Sequence, residues 1–234
     1  MAFVAVAAVA YVGCTKEENN GSVDDSTAVD PEPDSIPDGW VDLGLPSGLL
    51  WAECNVGAMA PEEYGDYFAW GETQPKSMYV WSTYQHVTGT PYKLTKYCNS
   101  SDYGYNGFSD NLTTLDSVDD AATASLGDGA RIPTKEEWQE LMDNTTAEWT
   151  TLNNVNGRKF TAANGNTLFL PAAGYFAVSE LSSASTIGSY WSASLFTDNP
   201  NCARLFFFKS DRQIIDEDYR YFGLPVRAVR DSQN

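Results

Sequence analysis

The sequence predicts an α+β domain over residues 39–231, with two main helices, short twisted antiparallel sheets and long loops. Three observations predict it. From Gly39 onward, short apolar-aromatic runs are broken by Gly, Pro, Asn and Asp, a texture of brief strands and turns. Helix-start chemistry occurs in only two segments, opening at Ser117 and Thr134. In "KFTAANGNTLFLPAAGYF" (Lys159–Phe176), Asn164-Gly165 stands between runs of strand-formers. Both residues tolerate positive φ, so the segment reads as a hairpin.

Taken in order, the first thirteen residues, "MAFVAVAAVAYVG", are almost wholly apolar and end on a small residue directly before Cys14. As a helix this run covers about 16 Å, too little for a bilayer core of about 30 Å, so it reads as a signal peptide rather than a stable span. Gly13-Cys14 resembles a bacterial lipoprotein cleavage site, at which Cys14 takes the lipid. Tyr11 stands where Leu is usual, and no basic residue precedes the apolar run.

Residues 14–38 read as an acidic stalk. Thr15 to Asp38 holds eight acidic residues and one Lys, seven of the eighteen excess negative charges. With few large apolar side chains, this segment buries too little surface to offset its ordering entropy and is expected to be flexible.

Within the domain, "DSVDDAATASLGDG" offers Ser117 as an N-cap, Asp119 and Asp120 in the first turn and Gly127 as a stop. In "ARIPTKEEWQELM", Thr134 and Glu137 have capping-box spacing. Trp138, Leu141 and Met142 then fall on one helical face. Three later runs, "GSYWSASLF", "CARLFFFK" and "YRYFGLPVRAVR", read as strands. Phe206–Phe208 within the second implies a strand with apolar surroundings on both faces.

Charge and residue inventory exclude several chemistries. With 32 acidic residues against 14 basic, the chain lacks the basic face that a phosphate backbone needs, so no nucleic-acid partner is expected. His86 is the single histidine and lies in the polar run "STYQHVTGT", which reads as a surface or turn position. A His-rich zinc site and a Ser-His-Asp triad both lack support. With Cys14 set aside, Cys54, Cys98 and Cys202 show no metal-ligand spacing. They allow either one disulfide plus one thiol or three separate thiols.

Asp116, Asp119 and Asp120, and again Asp216, Glu217 and Asp218, are sequence neighbours rather than carboxylates facing each other across a cleft. Capping and a solvated turn are therefore expected before calcium binding or glycoside hydrolysis. No metal or cofactor is expected. Seven Trp and thirteen Tyr remain as the main resource for recognition. Between Trp70 and Tyr105 the candidate ligand contacts are Trp70, Tyr79, Trp81, Tyr84 and Tyr103.

"DLGLPSGLLWAECNVGAMAPEEYGDYFAWGE" (Asp42–Glu72) resembles the start of a domain abundant in Bacteroidota lipoproteins and related to the Fibrobacter succinogenes major paralogous domain. The likeness continues through "LTKYC", "DDAA", "ARIPTKEEWQEL", "NGNTLFLPAAGY", "GSYWSAS" and "YFGLPVRAVR", covering Val41 to Arg230 in order. Such domains are similar to the C-type lectin-like fold, shared with formylglycine-generating enzymes. The resemblance implies that fold, with Arg131, Pro133, Thr134, Glu137 and Trp138 matching its helix-opening motif and Ile132 replacing the usual Leu. Trp191 is assigned to the same framework.

The resemblance implies no activity. Cys202 is the only cysteine after Cys98, where a formylglycine-generating enzyme uses a late pair, and the calcium-lectin triplets are absent. "TKEENN" after Cys14 resembles a Bacteroidota surface-export signal, and Asp34-Ser35-Ile36 and Asp116-Ser117-Val118 resemble O-glycosylation sites of that group. The expected protein is a non-enzymatic lipoprotein, anchored through Cys14 in the outer membrane and exposed at the cell surface, whose domain binds a glycan or a surface protein. The alternative is a structural component of a surface fibre or adhesin; a polysaccharide-acting enzyme ranks last.

Overall fold

The computed structural model describes residues 36–89, 92–127 and 129–232. The expected signal peptide, Cys14, the stalk up to residue 35 and most of the Asp34-Ser35-Ile36 site lie outside the described residues.

Strands dominate the described chain. Six small antiparallel sheets are formed by β1 (Trp40–Asp42), β2 (Leu49–Asn55) and β15 (Arg227–Asp231); β3 (Tyr67–Phe68) and β14 (Leu224–Pro225); β4 (Val87–Thr88) and β5 (Lys93–Leu94); β6 (Thr145–Leu152), β7 (Val155–Ala162) and β8 (Thr167–Pro171); β9 (Tyr175–Ala177) and β10 (Glu180–Ser182); and β11 (Ile187–Leu195), β12 (Cys202–Lys209) and β13 (Arg212–Tyr219). The helices are α1 (Ala121–Leu126) and α2 (Lys135–Asn144), with three short 3₁₀ turns.

This corrects the expected fold class. At 42% strand against 13% helix, the chain is a mostly β assembly of small sheets, not an α+β C-type lectin-like fold built on two main helices. One physical reason lies in α1. Ser117 opens only a 3₁₀ turn, whereas the Asp120 carboxylate accepts from the Ala122 and Thr123 amides and also from Ile132 N at 2.8 Å. The true N-cap is therefore Asp120, and Gly127, at φ 62°, ends the helix after six residues.

Helix α2 starts at Thr134, where the capping box is present: Glu137 N donates to Thr134 Oγ1 and Thr134 N donates to the Glu137 carboxylate. Arg131 donates twice to the same carboxylate, at 2.6 and 2.7 Å. Pro133 O receives Ala193 N, which joins this corner to β11. Trp138 and Leu141 are buried and Met142 is half-buried.

The Lys159–Phe176 hairpin comprises β7 and β8, turning at residues 163–166. A second hairpin, between β6 and β7, passes unrecognised in the sequence. Asn153 and Asn154, at φ 47° and 67°, make its two-residue turn, the conformation that right-twisted strands favour.

Strand β11 is the seam of the molecule. Three indoles donate to neighbouring backbone carbonyls: Trp138 to Trp191 O at 3.2 Å, Trp70 to Ser192 O at 2.8 Å and Trp191 to Phe68 O at 2.7 Å. Between Trp191 and Leu195 the pairing of β11 with β12 is irregular, and here Ala193 and Leu195 bond instead to Pro133, Thr113 and Leu115. These three rings thus enter the core with their polar tips satisfied, whereas the Trp51 Nε1 is buried without a partner.

Phe206 and Phe208 belong to one buried cluster with Trp51 and Trp138, while Phe207 packs from the other face of β12 against the cluster containing Trp70 and Trp191. Trp138 stacks on Phe206 at 4.9 Å with 17° between planes and meets Trp51 at 4.9 Å. Trp138→Ala should cost about 3–5 kcal/mol, the usual range for truncating a large buried ring. Urea unfolding checks this; a loss below about 1 kcal/mol would mean the cavity collapses and Trp138 is not the anchor of this core.

Candidate functional site

Two guanidinium groups are fully buried, and each is solvated by backbone carbonyls rather than by a carboxylate. Arg227 donates to Asn55 Oδ1 at 3.0 Å, Ala52 O at 2.9 Å and Phe169 O at 3.1 Å, tying β15 to β2 and β8. Burial, the largest influence, lowers its pKa from the ordinary arginine value. Arg220, at the end of β13, donates to Tyr84 Oη at 2.8 Å, Tyr97 O at 3.0 Å, Pro200 O at 2.9 Å and Lys96 O at 3.1 Å. Its guanidinium lies 4.8 Å from the Trp70 ring centre and 5.3 Å from that of Tyr84.

Arg220 opens a turn that follows β13, and there Arg220 is fully buried, Tyr219 is exposed and Tyr221 is half-buried. Backbone bonds fix the same segment: Arg220 N to Asn201 O, Trp70 N to Arg220 O, and Phe222 N to Tyr219 O. Gly223 follows, exchanging two bonds with Phe176. A side chain there would bring a Cβ within 2.6 Å of the Tyr79 ring, so the close approach requires glycine.

Five rings form a connected shelf around this turn, Tyr219 exposed and the other four packed by one side on the core. Tyr219 and Tyr221 lie 5.6 Å apart and nearly parallel, at 14°. Trp81, from a 3₁₀ turn, meets Tyr221 edge-on at 4.9 Å and Tyr219 at 6.2 Å. Phe222 meets Tyr221 at 4.6 Å and Tyr175 of β9 at 5.7 Å. Tyr219 is 44% exposed, and the other four are half-buried. Nearby, the bridge between Tyr79 and Val178 places exposed Met78 and Val178 on adjoining backbone positions, with Val178 at φ 59°. Positive φ is an outlying conformation for a β-branched residue.

Of the five expected ligand contacts, the structure brings only Trp81 to this shelf. Trp70, Tyr79 and Tyr84 are buried and bonded inward, so they are corrected from contacts to core: Tyr79 Oη donates to Tyr67 O at 2.5 Å and Tyr84 Oη to Trp70 O at 2.7 Å. Tyr103 is half-buried in a loop and, like exposed Tyr92, Tyr105 and Phe108, pairs with no other ring among the described residues. Tyr219, Tyr221, Phe222 and Tyr175 went unrecognised. Their signal was in "YRYF", three rings flanking an arginine at a strand end, which reads equally as an ordinary strand.

His86 is also corrected, from surface to core. It is buried beside Tyr84 and Tyr97, and Nε2 donates to Gly71 O at 2.8 Å, with Asp119 Oδ1 at 3.9 Å. Asp119 Oδ2 accepts from Tyr97 Oη and Lys96 Nζ, both at 2.6 Å, and Lys96 also pairs with Asp116 at 2.7 Å. The first acidic cluster is thus occupied by internal partners. Cys98 and Cys202 are buried free thiols, and burial pushes the Cys202 thiol up to about 11. The described residues hold no group of three or more His, Cys, Asp or Glu able to bind a metal ion.

No family model matches the chain, and neither a curated protein nor a solved structure matches it significantly.

Burial holds the His86 imidazole below its ordinary value, outweighing its bond to Gly71. The unfolded chain therefore takes up this proton first, near pH 6.5, and stability conferred by neutral His86 declines as pH falls through that window toward the lower folded value. As the chain's single histidine, His86 should dominate the slope there. His86→Gln should flatten stability between about pH 6.5 and 5 in urea titrations at stepped pH; an unchanged slope would show that His86 titrates alike in both states.

Proposed function

We propose that this chain is a non-catalytic recognition module whose binding surface is the aromatic shelf of Trp81, Tyr175, Tyr219, Tyr221 and Phe222. The observation that carries the reading is the connected set of rings, one exposed and four half-buried, beside a buried arginine. Tyr and Trp provide large, rigid contact area with a polar tip and little entropy to lose, which suits them to act as binding anchors. The carboxylates nearest other titrating groups support the non-catalytic side of the reading: Glu137 is occupied by Arg131 and Asp119 by Tyr97 and Lys96.

The proposal includes the setting read from the sequence, a lipid anchor at Cys14 and an acidic stalk presenting the domain at the surface of a Bacteroidota cell. What supports it is the apolar run ending at Cys14, the acidic segment behind it and the ordered resemblance from Val41 to Arg230 to lipoprotein domains of that group.

Purified full-length chain should bind a member of a panel of immobilised glycans and surface proteins. Replacing Tyr219 and Tyr221 together by Ala should weaken that binding at least tenfold, as loss of central aromatic anchors does, while shifting the urea midpoint little. Binding that survives the double replacement unchanged would remove the shelf from the reading. Incorporation of labelled palmitate that is lost in Cys14→Ser checks the anchor.

A further inference from the structure

We infer that the free edge of β6 is a strand-addition site, at which an extended, non-acidic segment of a partner polypeptide pairs with the backbone of Ala147, Trp149 and Thr151. This surface shares no residue with the aromatic shelf and stands independently of it.

The register fixes which backbone groups of β6 are free. In an antiparallel sheet, successive residues of a strand point their N–H and C=O groups alternately to one neighbour and to the other. Asn156 O receives Ala172 N at 2.8 Å and Ala162 N donates to Asn166 O at 3.0 Å, so the even-numbered residues of β7 bond toward β8. The odd-numbered ones, Val155 to Thr161, therefore bond to Leu152, Thr150, Glu148 and Thr146. That leaves the backbone groups of Ala147, Trp149 and Thr151 directed to the opposite side, where no strand or loop meets them among the described residues.

The chain blocks three other edges with its own groups. Over the second half of β13, the Asp216 and Asp218 carboxylates accept the Glu217 and Tyr219 amides at 3.0 and 2.8 Å, and Tyr219 O receives Phe222 N. On β8, Phe169 O receives Arg227 at 3.1 Å and Pro171 O receives Tyr190 Oη at 2.8 Å. On β1, Asp42 O receives the Asn164 and Asn166 side chains. Strand β6 has no such block. It is eight residues long, holds four Thr and a Trp, which favour strands, and contains neither the Pro nor the Lys that commonly blunt an edge. Thr146 and Glu148 are exposed on one face and Thr151 on the other, so water reaches the strand from both sides.

The chemistry of the edge selects its occupant. Donors and acceptors repeated at every second residue, about 7 Å apart, are matched in register by another extended polypeptide and not by a sugar. Ala147 and Trp149 pack by one side on the core, so a partner's side chains on that face meet apolar neighbours, while those on the other face meet Thr146, Glu148 and Thr150. A segment alternating apolar and polar residues fits both. Glu148 is the only charge on the strand and the chain carries −18 overall, which disfavours an acidic segment and a second copy alike.

The test follows backbone amide exchange in the full-length chain by NMR, with the synthetic peptide KTVTVTVK as probe. KTVPVPVK, equal in charge but unable to offer a continuous ladder, is the control. Without peptide, the Ala147, Trp149 and Thr151 amides should exchange at least about tenfold faster than those of Glu148 and Thr150, and saturating KTVTVTVK should remove that difference while the control does not. Thr151→Pro removes only an outward donor, so it should weaken KTVTVTVK at least about threefold and leave the urea midpoint little changed.

Slow exchange of the three amides in the free monomeric chain would mean that the edge is already covered, and would overturn the inference. Failure of KTVTVTVK to bind, equal binding of both peptides, or binding indifferent to Thr151→Pro overturns it as well. Sedimentation as a dimer, with the three amides protected only in the dimer, would assign the edge to a second copy and overturn the partner. Should Thr151→Pro unfold, the exchange pattern of the unsubstituted chain with the two peptides still decides.

Discussion

The burial of Arg220 is the constraint on which the functional surface depends. A guanidinium removed from water without a carboxylate partner is tolerated only where its donors are met, and here Tyr84, Tyr97, Pro200 and Lys96 meet them from three separate loops. The arrangement works in both directions. The loops are collected around the cation, and the cation holds the turn that carries Tyr219 and Tyr221 against them. An apolar residue at 220 would leave these carbonyls buried and unpaired, at roughly 1–3 kcal/mol for each buried group left unsatisfied.

Arg227 applies the same device to the opposite part of the molecule, and together the two arginines explain how several small sheets make one body. Among the described residues no sheet exceeds three strands, so none can bury enough apolar surface alone. The sheets are instead joined through groups with directional donors: two arginines, and the indoles of Trp70, Trp138 and Trp191 clustered along β11. Directional contacts of this kind specify how loops meet, which apolar packing alone does not.

Sequence legibility follows the range of the interactions. The capping box at Thr134, the stop at Gly127 and the Asn-Gly turn depend on residues within a few positions of one another, and so are visible as spacing. The first helix misleads because its cap is decided by a distant amide: Ile132 N selects Asp120 over Ser117. The lectin-like expectation gave two helices a weight that six and ten residues do not carry. His86 and the rings of Trp70, Tyr79 and Tyr84 look like loop residues because they are surrounded by polar sequence, yet their polar atoms are met in the core by Gly71, Ser192, Tyr67 and Arg220, beyond the reach of local spacing. The Asn153-Asn154 turn was locally readable, and there the run of threonines before it hid the strand.

The shelf itself shows why exposure cannot be read from composition. Five rings left partly in water carry a cost, since apolar area of this kind gains free energy whenever it is covered. Folding covers it only in part: the space beneath the turn is filled by Arg220, and the turn is closed against Tyr79 by Gly223. Self-association is opposed by the charge on every copy. What remains favourable is cover by something different in kind from the chain itself. Apolar area supplies the gain, and the rings' polar tips leave it soluble until that partner arrives.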